Sequence, residues 1–403
     1  MVRSFTRRVR VALTLGVCGA MTASLVSCGE DRPTTQSTAT GTPITIGVVA
    51  TMSNNPGLAH GASAEGLKAW AATTNGRGGL DNHPIEIVVK DDGNDPAKSL
   101  TAVKDLVENE KVDAIAAWST QSAAWSDYAA QTNIPFIGGQ ASGPMWQEGG
   151  NLFPVQTTVY GTSYAQGMVA QSAGAQRMGI FYTSALSVAV EAARQKKPIF
   201  ADLGLESVYE AAIDPNQSDY TAPCLAAKDA DAEAVVLSGV PAERVTPSCK
   251  QQGYEPIWVY PVEVISETVL ETPALSNALV PQASFPYFLD VPETQDYRAS
   301  MDTDYRGPED EKFGPHTATS WMVGLVLREA MKNVGSKDVV AAGDLMAALT
   351  EIDNYTADGL LPGLTYTDPT ARINRCFWEY KIADGGLVAP NGLNTTCAPE
   401  PKR

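Results

Sequence analysis

VDAIAAWSTQSAAWSDYAAQTNIPFIGGQASGPMW, residues 112–146, decides the fold. Two short apolar runs, 114–118 and 134–138, are each followed at once by small polar residues. Between them the period changes, and 120–131 is predicted to be a helix. Strand, polar turn, helix, strand and polar turn form the repeat of an α/β sheet. Ligands of such sheets sit at the carboxyl ends of the strands, where helix N-termini offer unpaired backbone N–H groups. Ser119-Thr120 and Gln140-Ala141-Ser142 fall at those ends and are the first candidates for a binding site.

Working outward, β-α units recur in two sets. The first has strands at 44–50 and 85–90, and helices at 59–74 and from Asp95-Pro96 to 109. Leu67, Trp70 and Ala71 form the inner face of the first helix, and Leu100, Val103 and Val107 that of the second. After a break near 149–155 come helices at 162–173, 186–197, 220–229 and 242–252, alternating with strands at 177–182, 207–211, 234–238 and 257–260. Two similar α/β lobes follow from this pattern. A helix at 264–280, a strand at 284–288 and helices at 295–305, 316–334 and 345–352 are predicted next. The chain closes with a hairpin, 376–382 and 387–389, turned at Asp384-Gly385-Gly386.

The ends and the composition limit the function. Residues 1–10 carry Arg3, Arg7, Arg8 and Arg10, and an apolar run over 11–26 leads into Leu25-Val26-Ser27-Cys28. This reads as a signal sequence, too short and wrongly flanked for a spanning helix. Its ending resembles the bacterial lipobox, which implies cleavage after residue 27 and lipidation of Cys28. Residues 28–42, rich in Thr, Ser and Pro, then form a flexible tether. The expected location is outside the cell, lipid-anchored to the outer face of the cytoplasmic membrane. The formal net charge is −17 over 403 residues. Loss of four Arg with the signal leaves 25 basic against 46 acidic residues, near −21. Such a chain lacks the basic surface that nucleic acid requires. Cys224, Cys249, Cys376 and Cys397 remain in an oxidising location, and proximity favours 224–249 with 376–397 among the three pairings that four cysteines allow. No ligand spacing for zinc occurs, so neither metal nor cofactor is expected. GxSxG, HExxH and Walker patterns are absent, so an enzyme is not expected.

Taken together, ITIGVVATMSNNPG from residue 44, GLKAWAATTNGRGGLDNHPIEIVVKDDGNDPAKSLTAVKDLV from residue 66, the block 134–144, PIWVYPVEVISE, the helix 317–334 and RCFWEYKIADGGLV resemble the type I periplasmic binding proteins of ABC importers, in the leucine/isoleucine/valine-binding branch. The likeness covers residues 44–390. It implies two Rossmann-like lobes with parallel sheets, joined by three crossovers and closing on ligand like a flytrap. Lobe one would be 43–156 with 283–362, and lobe two 157–282 with 363–397.

The implied function is that of a monomeric lipoprotein which captures a small polar ligand, an amino acid first, and delivers it to ABC permease subunits. Ser119 matches the serine that holds the ligand carboxylate, and Gln140-Ala141-Ser142 resembles the turn beside it. Ser119 could equally be a helix N-cap. Glu263, in Tyr260-Pro261-Val262-Glu263, is the candidate partner for an ammonium group, although one residue separates it from the proline that it follows directly in the family. Trp118, Thr120, His60 and Thr183 complete the candidate ligand set. Thr183-Ser184-Ala185 and Gly239-Val240-Pro241 stand where family members carry aromatic residues. That departure leaves an amide, a urea-like compound or a small aromatic carboxylate as the alternative ligand, and ligand sensing as the alternative role.

Overall fold

A strand covered on both faces must be apolar along its whole length, and Ile44–Ala50 (β1) is buried at all but one position. It pairs in parallel with Ile85–Asp91 (β2) and Ala114–Trp118 (β3). Phe136–Gly138 (β4) and Leu152–Pro154 (β5) extend the sheet, which is parallel throughout in the order β2-β1-β3-β4-β5. His60–Gly76 (α1), Pro96–Glu108 (α2) and the single turn Ser126–Ala129 (α3) connect these strands. The computed structural model describes residues 38–54, 60–141, 143–185, 187–261, 265–301 and 313–400.

The second sheet runs β12-β11-β10-β9-β8-β6-β7. Its parallel part is Arg177–Thr183 (β6), Glu206–Ile213 (β7), Ala234–Ser238 (β8), Ile257–Val259 (β9) and Leu279–Gln282 (β10). Val159–Ser172 (α4), Ser187–Asp202 (α5), Thr221–Asp229 (α6), Ala242–Gln251 (α7) and Glu267–Leu270 (α8) accompany it. Gln295–Met301 (α9), Pro315–Val334 (α10) and Ala342–Thr350 (α11) follow, and α10 lies along α1 of the first sheet. The predicted hairpin, Cys376–Ala383 (β11) with Gly386–Val388 (β12), returns to the second sheet antiparallel to β10. That sheet is therefore mixed, where parallel sheets were expected. Thr396–Cys397 (β13) pairs with β11.

Disulfides join Cys224 to Cys249 and Cys376 to Cys397, the pairing that sequence proximity favours. Among the described residues no helix is long and apolar enough to cross a membrane.

Several expectations are corrected. Residues 120–131 do not form one helix but a 3-10 turn, Ser122–Ala124, followed by α3. Side chains take up the backbone there: Ser119 Oγ accepts from Gln121 N, and Ser122 Oγ donates to the Ser119 carbonyl. The predicted helix 264–280 reduces to α8, a 3-10 turn at Pro273–Leu275 and strand β10. Pro273 disfavours helix at the residue before it, and Asn277 has φ +74°. No strand forms at 284–288. Pro286 interrupts that run, while Phe285, Tyr287 and Phe288 pack edge-on against Tyr297, Phe313 and Tyr380. On α2 the buried face is Ser99, Ala102, Val103 and Leu106, rotated from the predicted Leu100 and Val107. Asp95 caps this helix as predicted, accepting from Lys98 N at 2.9 Å.

Two crossings between the sheets lie side by side and are laced together. Asn374 Nδ2 donates to the carbonyls of Pro154 and Gln156 at 2.6 and 2.9 Å, and Thr158 N donates to the Asn374 carbonyl at 3.0 Å. Arg372 Nη1 donates to the carbonyls of Gly150 and Leu152, both at 2.7 Å. Its guanidinium is buried over the Phe153 ring, 3.9 Å from the centroid, and burial lowers its pKa to about 10.

Candidate functional site

The first sheet reverses its winding between β1 and β3, so a crevice opens at the carboxyl ends of those strands. Ser119 sits there, buried, but its hydroxyl turns into the lobe. It donates to Asp92 Oδ2 at 2.5 Å, and Ser99 Oγ donates to the same oxygen at 3.1 Å. A serine has one proton to give, and here the buried Asp92 carboxylate takes it. Thr120 is exposed, with its N–H on Thr51 Oγ1 and its hydroxyl donating to Asn94 Oδ1 at 2.9 Å. Thr183, at the end of β6, is buried and accepts from Ala185 N at 3.3 Å.

A different group converges on a cavity of about 220 Å³ where the crossings meet α10. Trp118 lies buried behind its wall. The indole Nε1 donates to Thr319 Oγ1 on the first turns of α10 at 3.1 Å. The close approach needs glycine at 139, where a Cβ would fall 2.1 Å from Trp118 Cε2. One residue on, Gln140 lines the cavity and meets His60 Nε2 through Oε1 at 2.7 Å. His60 is fully buried behind it, and burial lowers its pKa, opposed by the Gln140 bond and the nearby Asp92 charge. The His60 ring lies 5.6 Å, edge-on, from that of His316.

His316 occupies the first turn of α10 and faces the cavity. Burial pushes its pKa down to about 3, with His60 adding to the shift. The positive end of the helix dipole acts in the same direction. It is therefore a neutral imidazole at pH 7, and its Nε2 has no hydrogen-bond partner. Across the cavity stands the N-terminus of α4, with Thr157, Val159, Thr162 and Gln166. Pro281, Gln282, Ala283 and Ser284, at the end of β10, and Phe377 close the walls. Among the described lining residues none is an acid, a lysine or an arginine.

Of the predicted set, the structure brings together Trp118, His60 and Gln140. Ala141 is buried in the neighbouring core with Trp125 and Trp146. Ser142, Glu263 and the lipidation residue Cys28 lie outside the described residues. Sequence reasoning missed His316, Thr319, Gln166 and Gln282. The available signal was that His316 starts a long apolar helix directly after Pro315, a position where a polar side chain is left at the helix mouth. No cluster of three or more His, Cys, Asp or Glu suited to a metal occurs among the described residues.

Comparison with solved structures gives one fold. The chain is similar to a fatty acid ABC transporter substrate-binding protein from Thermomonospora curvata, at 20% identity and a TM-score of 0.67, covering 88% of this chain and 93% of that one. It is similar to a leucine binding protein from Thermotoga maritima, at 16% identity and 0.67, covering 86% and 97%. A solute binding protein of an ABC transporter from R. palustris, in complex with benzoate, matches at 18% identity and 0.69, covering 88% and 98%. A search of curated protein sequences found no match. The family model for periplasmic binding proteins matches residues 43–386. The chain belongs to the periplasmic binding protein family and has its two-lobed type I fold.

Proposed function

We propose that this chain is the extracytoplasmic solute-binding lipoprotein of an ABC importer, anchored through Cys28, which captures a small polar ligand by closing one lobe on the other. The lobes on this reading are 43–156 with 283–362, and 157–282 with 363–397. The observation that carries it is the polar cavity at the crossings, walled by Gln140 and His316 from one side and by Thr162 and Gln166 from the other. The wider resemblance supports transport over sensing, since the similar structures quoted above are transporter binding proteins.

An amino acid remains one reading of the ligand, with Ser142 and Glu263 complementing its charges. The second reading is an amide, a urea-like compound or a small aromatic carboxylate, and two observations favour its uncharged members. The described cavity walls are uncharged, and the Ser119 proton is already committed to Asp92. A thermal-shift screen of the mature chain against amino acids, amides and aromatic acids tests the function. A ligand at 100 times its Kd adds about 2.7 kcal/mol of stability. A screen in which no small molecule raises Tm would sink the binding function. Glu263→Gln should abolish binding of any aminated ligand, and unchanged affinity would remove that acid from the site. Mass spectrometry of the membrane fraction tests the anchor, with a diacylglycerol-sized addition at Cys28 expected and an unmodified N-terminus counting against it.

A further inference from the structure

Within that binding reading, on which it rests, we infer that the cavity at the crossings takes an uncharged primary amide or ureido head group instead of an ammonium or a carboxylate. Two side chains lining it are left incomplete. Gln166 is 7% exposed and its Oε1 has no hydrogen-bond partner. His316 is also 7% exposed, and its Nε2 has none. Buried polar atoms are rarely left so, because each costs desolvation that nothing repays. These two sit in one cavity, so a bound molecule can complete both.

The chemistry of that molecule follows from what the walls offer. A Gln166 oxygen requires a hydrogen-bond donor, which an amide N–H supplies. The N-termini of α4 and α10 also face the cavity, through Val159 and through Pro315 with His316. Helix N-termini carry partial positive charge and favour an oxygen acceptor. One group needs to present N–H on one side and oxygen on the other, as a carboxamide or urea does. An ammonium would satisfy Gln166 but face two positive helix ends, with no carboxylate among the described lining residues. A carboxylate would suit the helix ends but would bring in a full negative charge, with no lysine or arginine among the described lining residues to offset it. Turning the Gln166 amide over exchanges the orphan acceptor for an orphan donor, and a carboxamide satisfies either orientation. The volume, about 220 Å³, is roughly that of seven water molecules and admits a small organic amide.

The test uses isosteric series on the mature protein: benzamide, benzoate and benzylamine, then isobutyramide, isobutyrate and isobutylamine, by titration calorimetry. The amide should bind about tenfold or more tightly than its acid and amine, the penalty of one unmatched buried polar contact. Gln166→Leu should weaken the amide by a similar factor while leaving the acid unaffected. Gln166→Glu, which keeps the shape should Gln166→Leu fail to fold, should shift preference toward the amine. An acid or amine ahead of its amide in both series, or amide affinity unchanged by both variants, overturns the inference. So does binding of amino acids with no binding by any of the six probes, which would leave the solute-binding function standing. Only the absence of any small-molecule binding would defeat both.

Discussion

His316 makes a measurable demand on the fold. The folded chain keeps it neutral down to about pH 3, whereas an unfolded histidine takes its proton near 6.5. Between those values the unfolded state binds more protons, so stability declines as pH falls below 6.5. The cost reaches about 2 kcal/mol at pH 5. Melting of the wild type and His316→Gln from pH 7.5 to 4.5 checks this: the variant should show the shallower acid decline, and parallel curves would contradict the assignment. The same residue shows what was and was not legible in the sequence. Trp118 and Gln140 could be picked out because strand ends announce themselves by a change of period, and His60 through the family resemblance. His316 offered only its place at the mouth of a long apolar helix, and the chain gives no sign that a residue 256 positions after His60 will pack edge-on against it. Ser119 was legible as a position and misleading as a direction. Its hydroxyl is claimed by Asp92, whose same oxygen also accepts from Ser99 on α2.

Elements that carry simple periodic signals were read well, and those shaped by side-chain competition or proline were not. Strands β1, β3 and β8 fall where apolar runs place them, since burial on both faces leaves no other composition. Residues 264–280 misled because their apolar content fits a helix, while Pro273 and Asn277 break the described part into turns and a strand. The packing of α10 on α1 depends on a contact no pattern reveals. A Cβ at Gly324 would lie 2.3 Å from Trp70 Cδ2, in an indole ring held by its own burial. Gly324→Ala should therefore cost about 1–3 kcal/mol in urea unfolding, despite alanine's better helix propensity. A neutral or stabilising result would show that the two helices separate freely. On the other sheet the Cys224–Cys249 bridge ties α6 to α7 across a separation of 25 residues. Replacing both cysteines with alanine should lower stability by about 3 kcal/mol; unfolding curves that coincide with the wild type would contradict this.

The whole molecule is two sheets whose connecting strands run together, laced by Asn374, Thr158 and Arg372, with the cavity beside the lacing. On the proposed closing of one lobe on the other, the bend falls at these crossings, so a ligand wedged there is placed to hold the lobes in one arrangement. A cavity-filling substitution tests that placement. Thr162 is part-buried, lines the cavity from α4, and makes only a local bond to the Val159 carbonyl. Thr162→Phe should fill the space and leave the unliganded fold intact. Titration calorimetry of this variant with whichever ligand stabilises the wild type should show affinity lower by about 100-fold or more, corresponding to about 2.7 kcal/mol or more. Wild-type affinity in a folded Thr162→Phe protein would place the ligand elsewhere and contradict the account.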